Sequence, residues 1–154
     1  MDGRATHWLV RPPGDGDLDR WRQLYREYAD FYGVAQTDHD ATRVWSWICD
    51  PQHEMRCLLV SDLAGHVAGL AHYRPFVRPL SASTGCFLDD LFVDPAQRGA
   101  GAVDALLVEL RRIAAKNGWN VVRWITAEDN YRGRGKYDKY ATRTMWVTYD
   151  MGPT

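Results

Sequence analysis

The run LFVDPAQRGAGAVDALL, from Leu91 to Leu107, constrains this chain more than any other stretch. Its first residues are apolar and extended, its middle is the small and glycine-rich Arg98-Gly99-Ala100-Gly101, and its end is helically periodic. A strand that passes through a glycine turn into a helix leaves the first backbone N–H groups of that helix without partners. Those donors and the helix dipole together attract an anion, and glycine removes the side chains that would hold a phosphate away. Arg98 adds a fixed positive charge at the same place. The run therefore predicts a phosphate cradle on a strand-to-helix crossing. Two other cradles are excluded: there is no G-x-G-x-x-G, and GRGKY lacks both the earlier glycine and the Ser or Thr of a Walker loop.

The segments on either side set the fold class. A short strand, His7 to Arg11, and the loop PPGDGD precede DLDRWRQLYREYADFYG, where Leu18, Trp21, Leu24, Tyr25, Tyr28 and Phe31 recur at helical spacing as far as Gly33. A second helix is expected from Ala41 to Cys49, stopped by Asp50-Pro51 because the residue before proline is pushed out of the helical region. The period then changes. Met55 to Asp62 and His66 to Arg74, joined by DLAG, read as a hairpin, and Gly85 to Val93 reads as a third apolar strand ended by Pro95. From Val103 the residues Leu106, Leu107, Leu110, Ile113 and Ala114 share one helical face, with Asn117-Gly118 as a stop. Val121 to Thr126 follows as a strand, AEDNYRGRGKYDKYA as a polar segment of weak helical character, and MWVTYDM as a final strand. Helices, a strand meander and then alternating strands and helices make a mixed α/β (α+β) sheet layered with helices.

Composition narrows the function classes. A chain of 154 residues, 45% of them hydrophobic, suits one domain over 1–154 that can bury a core. With a formal net charge of −1 and no long basic block, the footprint of a nucleic-acid binder is missing, so a small-molecule ligand is expected. MDGRATHWLV has no apolar signal-peptide core and no stretch approaches the roughly 18 apolar residues of a membrane span, so the expected location is cytoplasmic, off the membrane. Cys49, Cys57 and Cys86 are odd in number and never paired as C-x-x-C, which points to buried free thiols. His39, His53, His66 and His72 lack metal-ligand spacing, and DGDLD and TDHD lack the glycine and distant Glu of a calcium loop, so no metal is expected and both acidic runs read as solvated turns.

LDDLFVDPAQRGAGAVDALL also resembles the acetyl-coenzyme A signature of the GNAT N-acetyltransferase superfamily, whose core is R/Q-x-x-G-x-G/A after a strand. Val103 stands where that pattern ends in Gly or Ala. Downstream, TAEDNYRGRGKYDKYATRTMWVTYDM resembles the family's second signature, an Asn followed seven residues later by a Tyr, here Asn130 and Tyr137, with Gly133 at a position that is usually alanine. The first strand, the helix pair and the hairpin fit in order, so the resemblance covers nearly the whole chain. FLDDLFV, AEDN and the Asn-to-Tyr spacing look most like the diamine, or spermidine/spermine, acetyltransferase branch, which carries Leu-Glu-Asp where this chain has Leu88-Asp89-Asp90.

The resemblance implies a mostly antiparallel central sheet flanked by helices and splayed beside Gly85–Val93, with acetyl-coenzyme A as co-substrate. Backbone groups of Leu91, Phe92 and Val93 would hold its pantetheine arm and thioester carbonyl, and those of Arg98, Gly99, Ala100, Gly101 and Ala102, beside Val103, its pyrophosphate. Tyr137 is the implied general acid for the departing thiolate and Asn130 a cofactor contact or a cap. Asp89 is the implied base, since a cationic amine cannot attack until it loses a proton. Glu27, Tyr28, Asp89 and Asp90 are the acceptor candidates, with Asp30, Tyr32, Trp45 and Trp47 as further acidic and aromatic groups for a cation. Successive strand residues face opposite sides, so Asp89 and Asp90 are not expected to share a pocket. The implied reaction moves acetyl to a primary amine on a small molecule, a polyamine or diamine in the first instance. An amino acid, an aminoglycoside, a protein N-terminus, or a non-catalytic acetyl-coenzyme A sensor are the alternatives. A homodimer is expected from the resemblance alone.

Overall fold

Five strands form one sheet in the order β1 (Trp8–Arg11), β2 (Arg56–Asp62), β3 (Val67–Arg78), β4 (Ser83–Val93) and β5 (Val122–Arg123) in the computed structural model. The structure describes residues 7–154, so the reading of the first six residues lies outside it. The first four strands pair antiparallel and β5 joins β4 in parallel, which is the mixed, mostly antiparallel sheet expected. The chain divides into two compact units whose boundary falls after Trp124.

In the first unit α1 (Leu18–Phe31) and α2 (Asp38–Cys49) cover one face of the sheet. Trp21 and Leu24 of α1 and Ala41 of α2 pack with Cys57 and Leu59 of β2, Leu70 of β3 and Phe92 of β4. Leu58, Val60 and Leu88 are just as buried but point the other way, as strand alternation requires. That opposite face receives α3 (Ala102–Asn117), whose Leu106, Leu107, Leu110 and Ala114 are buried. Trp21 packs on Trp45 at 4.9 Å between ring centroids, which makes Trp45 a core residue. Trp47 instead stacks on His53.

Several expectations need correction. TDHD is no solvated turn: the Thr37 hydroxyl accepts from the Asp40 amide and the Asp40 carboxylate accepts from the Thr37 amide, a capping box that starts α2 three residues before Ala41. Cys57 and Cys86 are buried thiols, but Cys49, at the exposed end of α2, is not. The strand expected over Val121 to Thr126 is only Val122–Arg123. MWVTYDM forms no strand. A strand needs a ladder partner, and among the described residues of the second unit the only regular element is α4 (Tyr131–Tyr137).

Candidate functional site

The cradle is built as its composition demands. After β4 the chain turns at Pro95–Gln97, and Gly99 (φ 84°) and Gly101 (φ 94°) take left-handed backbone that residues with a Cβ avoid. Nothing lies within 4 Å of where a Gly99 Cβ would project, so the loop is open on that side. Gly101 is the N-cap of α3 and brings no side chain to bond the first-turn amides. Those donors stay available to a ligand anion, so the residues fit a pyrophosphate. The loop is tied from β1, where Trp8 Nε1 donates to Ala100 O at 2.7 Å. Arg98 also ties the loop down: its Nε donates to Val93 O at 3.1 Å, and its guanidinium lies over the rings of Phe92 and Phe31. Its role here is to fasten the loop to β4 and α1.

Beside the cradle, β4 loses a neighbour. Pairing with β5 is confined to Cys86–Val122 and Phe87–Arg123, whereas β3 follows β4 to Val93. From Leu88 onward β4 therefore has a ladder partner within this unit on one side only, which is the splay. Gly85 permits the close approach before it, since a Cβ there would fall 2.6 Å from the Phe76 ring and 2.7 Å from Val121 Cγ1.

The two carboxylates lie at a β-bulge. His72 pairs with Asp90 and Tyr73 with Leu88, which leaves Asp89 as the extra residue on β4. The bulge turns Asp89 toward the face of Asp90: Asp89 Oδ2 accepts from Arg74 Nε at 3.0 Å, and Asp90 Oδ2 meets His72 Nδ1 at 2.8 Å. His72 and Arg74 are two apart on β3 and share a face, so both acids point to the α1 side. The expectation that alternation would separate them is corrected by this inserted residue. Their environments differ. Burial raises the carboxyl of Asp89 above its ordinary value, only partly offset by Arg74. Burial also pushes on Asp90, but His72 first, then Tyr28 and Tyr25, outweigh it and hold that carboxyl below its ordinary value.

Asp90 is the centre of a buried polar cluster. Tyr25 OH donates to Asp90 Oδ2 at 3.1 Å, and Trp21 Nε1 donates to His72 Nε2 at 2.9 Å. Burial first, and the nearby charge of Asp90 second, raise the phenols of Tyr25, Tyr28 and Tyr32, so all three stay protonated as donors. Of the acceptor candidates, the structure brings together Tyr28, Asp89 and Asp90, with Tyr32 packed edge-to-face on Tyr28. Glu27 and Asp30, on the same helix, are outside the cluster. Reading the sequence missed Trp21, Tyr25, His72, Arg74 and Trp8. The i, i+4, i+7 stripe of Trp21, Tyr25 and Tyr28 was visible but read as core, and His72 needed its strand partner to acquire meaning.

The second unit holds the other candidates. Asn130 caps α4, accepting from the Gly133 amide at 3.2 Å and donating to Thr126 Oγ1 at 2.9 Å. A Cβ on Gly133 would fall 2.4 Å from Asn130 Nδ2, so the cap and the glycine belong together. Tyr137 is the last residue of α4, seven after Asn130.

Known proteins share this organisation. The profile of the acetyltransferase (GNAT) family matches residues 21–141. The chain is 27% identical over 134 residues to D-amino-acid N-acetyltransferase HPA3 of Saccharomyces cerevisiae, covering 86% of this chain and 83% of that one. It is 26% identical over 142 residues to the uncharacterized N-acetyltransferase YhfO of Bacillus subtilis, covering 91% and 94%. Among solved structures, aminoglycoside N-acetyltransferase AAC(6')-Iy in complex with CoA superposes with a TM-score of 0.82 at 18% identity, covering 100% of both chains. The ribosomal-protein-alanine N-acetyltransferase of Brucella melitensis biovar Abortus 2308 gives 0.77 at 18% identity, covering 94% and 98%.

Proposed function

The chain belongs to the acetyltransferase (GNAT) family, and we propose that it moves acetyl from acetyl-coenzyme A to a primary amine of a small cationic molecule, a polyamine or diamine. It is an acyltransferase, and acetyl-coenzyme A is its co-substrate. The observation that carries the acceptor class is Asp90: a largely buried carboxylate held by Tyr25, Tyr28 and His72, with no Arg or Lys paired to it among the described residues. A buried negative charge without a cationic partner favours a ligand that brings one.

When bound, acetyl-coenzyme A supplies the activated thioester. The first-turn amides of α3 and the turn Arg98 to Ala102, beside Val103, would hold its pyrophosphate, and the uncovered backbone of Leu91, Phe92 and Val93 its pantetheine arm. Asp90 and Tyr28 seat the acceptor's ammonium. Asp89, its carboxyl raised by burial, is the better base of the two and takes the proton that frees the amine to attack. Tyr137 gives a proton to the departing sulfur, a role supported by its spacing from Asn130. Glu27, beside Tyr28 on α1 but outside the cluster, is a second acidic contact for an acceptor that extends beyond it. One acetyltransferase domain over 1–154 is part of this reading, supported by a family match that crosses the boundary between the two units. No helix among the described residues is long and apolar enough to cross a membrane. Three free thiols support a reducing, cytoplasmic location.

Free thiol release by the purified protein, measured against polyamines, amino acids, aminoglycosides and peptides, tests the proposal. Turnover is expected with the polyamine class; turnover confined to another class replaces that acceptor. The amino-acid reading has an observation of its own: Arg74, on the same face, could receive a carboxylate, and the yeast relative is named for D-amino acids. Binding of acetyl-coenzyme A by calorimetry with no thiol release against any amine would favour the sensor.

A homodimer completes the proposal. Met145, Trp146, Val147, Tyr149 and Met151 are exposed within seven residues. The two aromatic side chains alone offer roughly 300–500 Å². Buried reciprocally with the other three in a second copy, they approach the ~1,200–2,000 Å² of a stable interface.

A further inference from the structure

Trp21 and His72 lie behind the acceptor seat, fully buried, and the proposed reaction gives neither a chemical step. Their geometry nevertheless fixes a charge. An indole nitrogen can only donate, so Trp21 Nε1, 2.9 Å from His72 Nε2, makes that ring nitrogen an acceptor. The ring proton then lies on Nδ1, which faces Asp90 Oδ2 at 2.8 Å. A protonated ring would set two N–H groups against each other at Nε2, between two fully buried side chains. From these contacts we infer that Trp21 and His72 are positioning residues: the indole holds the imidazole as a neutral Nδ1–H donor, so that Asp90 keeps a full negative charge for the acceptor's ammonium. The inference rests on the reading of Asp90 as the acceptor seat.

The alternative device would be an ion pair. An imidazolium at the same place would cancel Asp90, and a cationic acceptor would gain little by binding there. The groups that face the ring are few. They are Trp21 and Tyr25 from α1, the latter ring centroid at 4.7 Å, Asp90 from β4, and Cys57 across the ladder on β2. Arg74 and Asp89, farther along the same face, neutralise one another at 3.0 Å. None of the groups named as facing the ring is an Arg or Lys, so the ring's own protonation state decides the net charge of the His72–Asp90 pair.

The tautomer can be read in the wild-type protein by long-range proton–nitrogen correlation of ring-labelled histidines, with the His72→Asn protein identifying the signal. The Nδ1–H form is expected; an imidazolium or an Nε2–H ring overturns the inference. Kinetics then separate positioning from mere structure. Trp21→Phe leaves Nε2 without its donor, and the acceptor KM should then rise about tenfold, with a pH dependence that the wild-type protein lacks. The KM for acetyl-coenzyme A should stay flat. His72→Asn, which retains a neutral N–H toward Asp90, should restore a pH-independent acceptor KM, whereas His72→Leu should not. If His72→Leu and His72→Asn raise the acceptor KM equally, the ring is only packing and the inference fails. Asp90→Asn tells the two levels apart: an unchanged acceptor KM there removes the seat itself, whatever the tautomer of His72.

Discussion

At the scale of single residues, Asp89 and Asp90 show how one added residue gives adjacent identical side chains different environments on one face. The bulge sends both to the α1 face, where Arg74 meets one and neutral donors meet the other. Asp89→Asn should therefore lower kcat by roughly 10²–10⁴ with little change in acceptor KM. Asp90→Asn should instead raise the acceptor KM roughly 10- to 100-fold, because a hydrogen bond to a charged group is worth about 1.5–3 kcal/mol. Thiol-release kinetics with the preferred amine distinguish these patterns, and identical effects in both variants would remove the division of labour. The pH dependence follows from the shifts. Asp90 lies below its ordinary value in the folded chain, so its ionisation stabilises the fold. That contribution is complete above pH about 4 and disappears as pH falls through the lowered value. Melting curves of wild type and Asp90→Asn should thus converge on acidification. Asp89 is shifted the other way by burial, so activity should fall on the acid side at a pH above the usual carboxylate range. Tyr137→Phe should cut turnover roughly 10²–10⁴-fold if the phenol is the acid, and an unchanged rate would end that assignment.

At the scale of elements, the cradle depends on parts that come from opposite ends of the first unit. Trp8 of β1 reaches the loop before α3, a link across 92 residues that no local pattern announces. Trp8→Phe keeps the ring but removes the donor, and should raise the KM for acetyl-coenzyme A several-fold while leaving the acceptor KM unchanged. Equal changes in both constants would mean that the tie supports the fold in general. Gly101→Ala places a Cβ on left-handed backbone, at a cost of about 1–2 kcal/mol, and should weaken cofactor binding measured by calorimetry. Capping is local by comparison. Thr37→Ala should cost about 1 kcal/mol in denaturant unfolding, since it removes the box that starts α2.

At the scale of the whole molecule, sedimentation equilibrium should find a dimer, and Trp146→Asp with Tyr149→Asp should make it a monomer; a monomeric wild type would remove the proposed second-copy partner for residues 145–151. What the sequence determined by itself is the set of features that local physics enforces. A 3.6-residue stripe must bury one face, so α1 and α3 were legible, and a glycine-rich turn between strand and helix must bend sharply, so the turn before α3 was legible down to Gly99 and Gly101. The family's signatures, being local, were legible for the same reason. Tertiary structure decided whatever depends on a partner distant in sequence. Pairing register decided that Asp89 is an inserted residue, since a bulge exists only relative to β3. Packing of α1 on that sheet gave His72 a donor on one side and Asp90 on the other. The segment MWVTYDM carries the composition of a strand and makes none, because strand propensity describes fitness for a ladder and the ladder itself has to come from another segment.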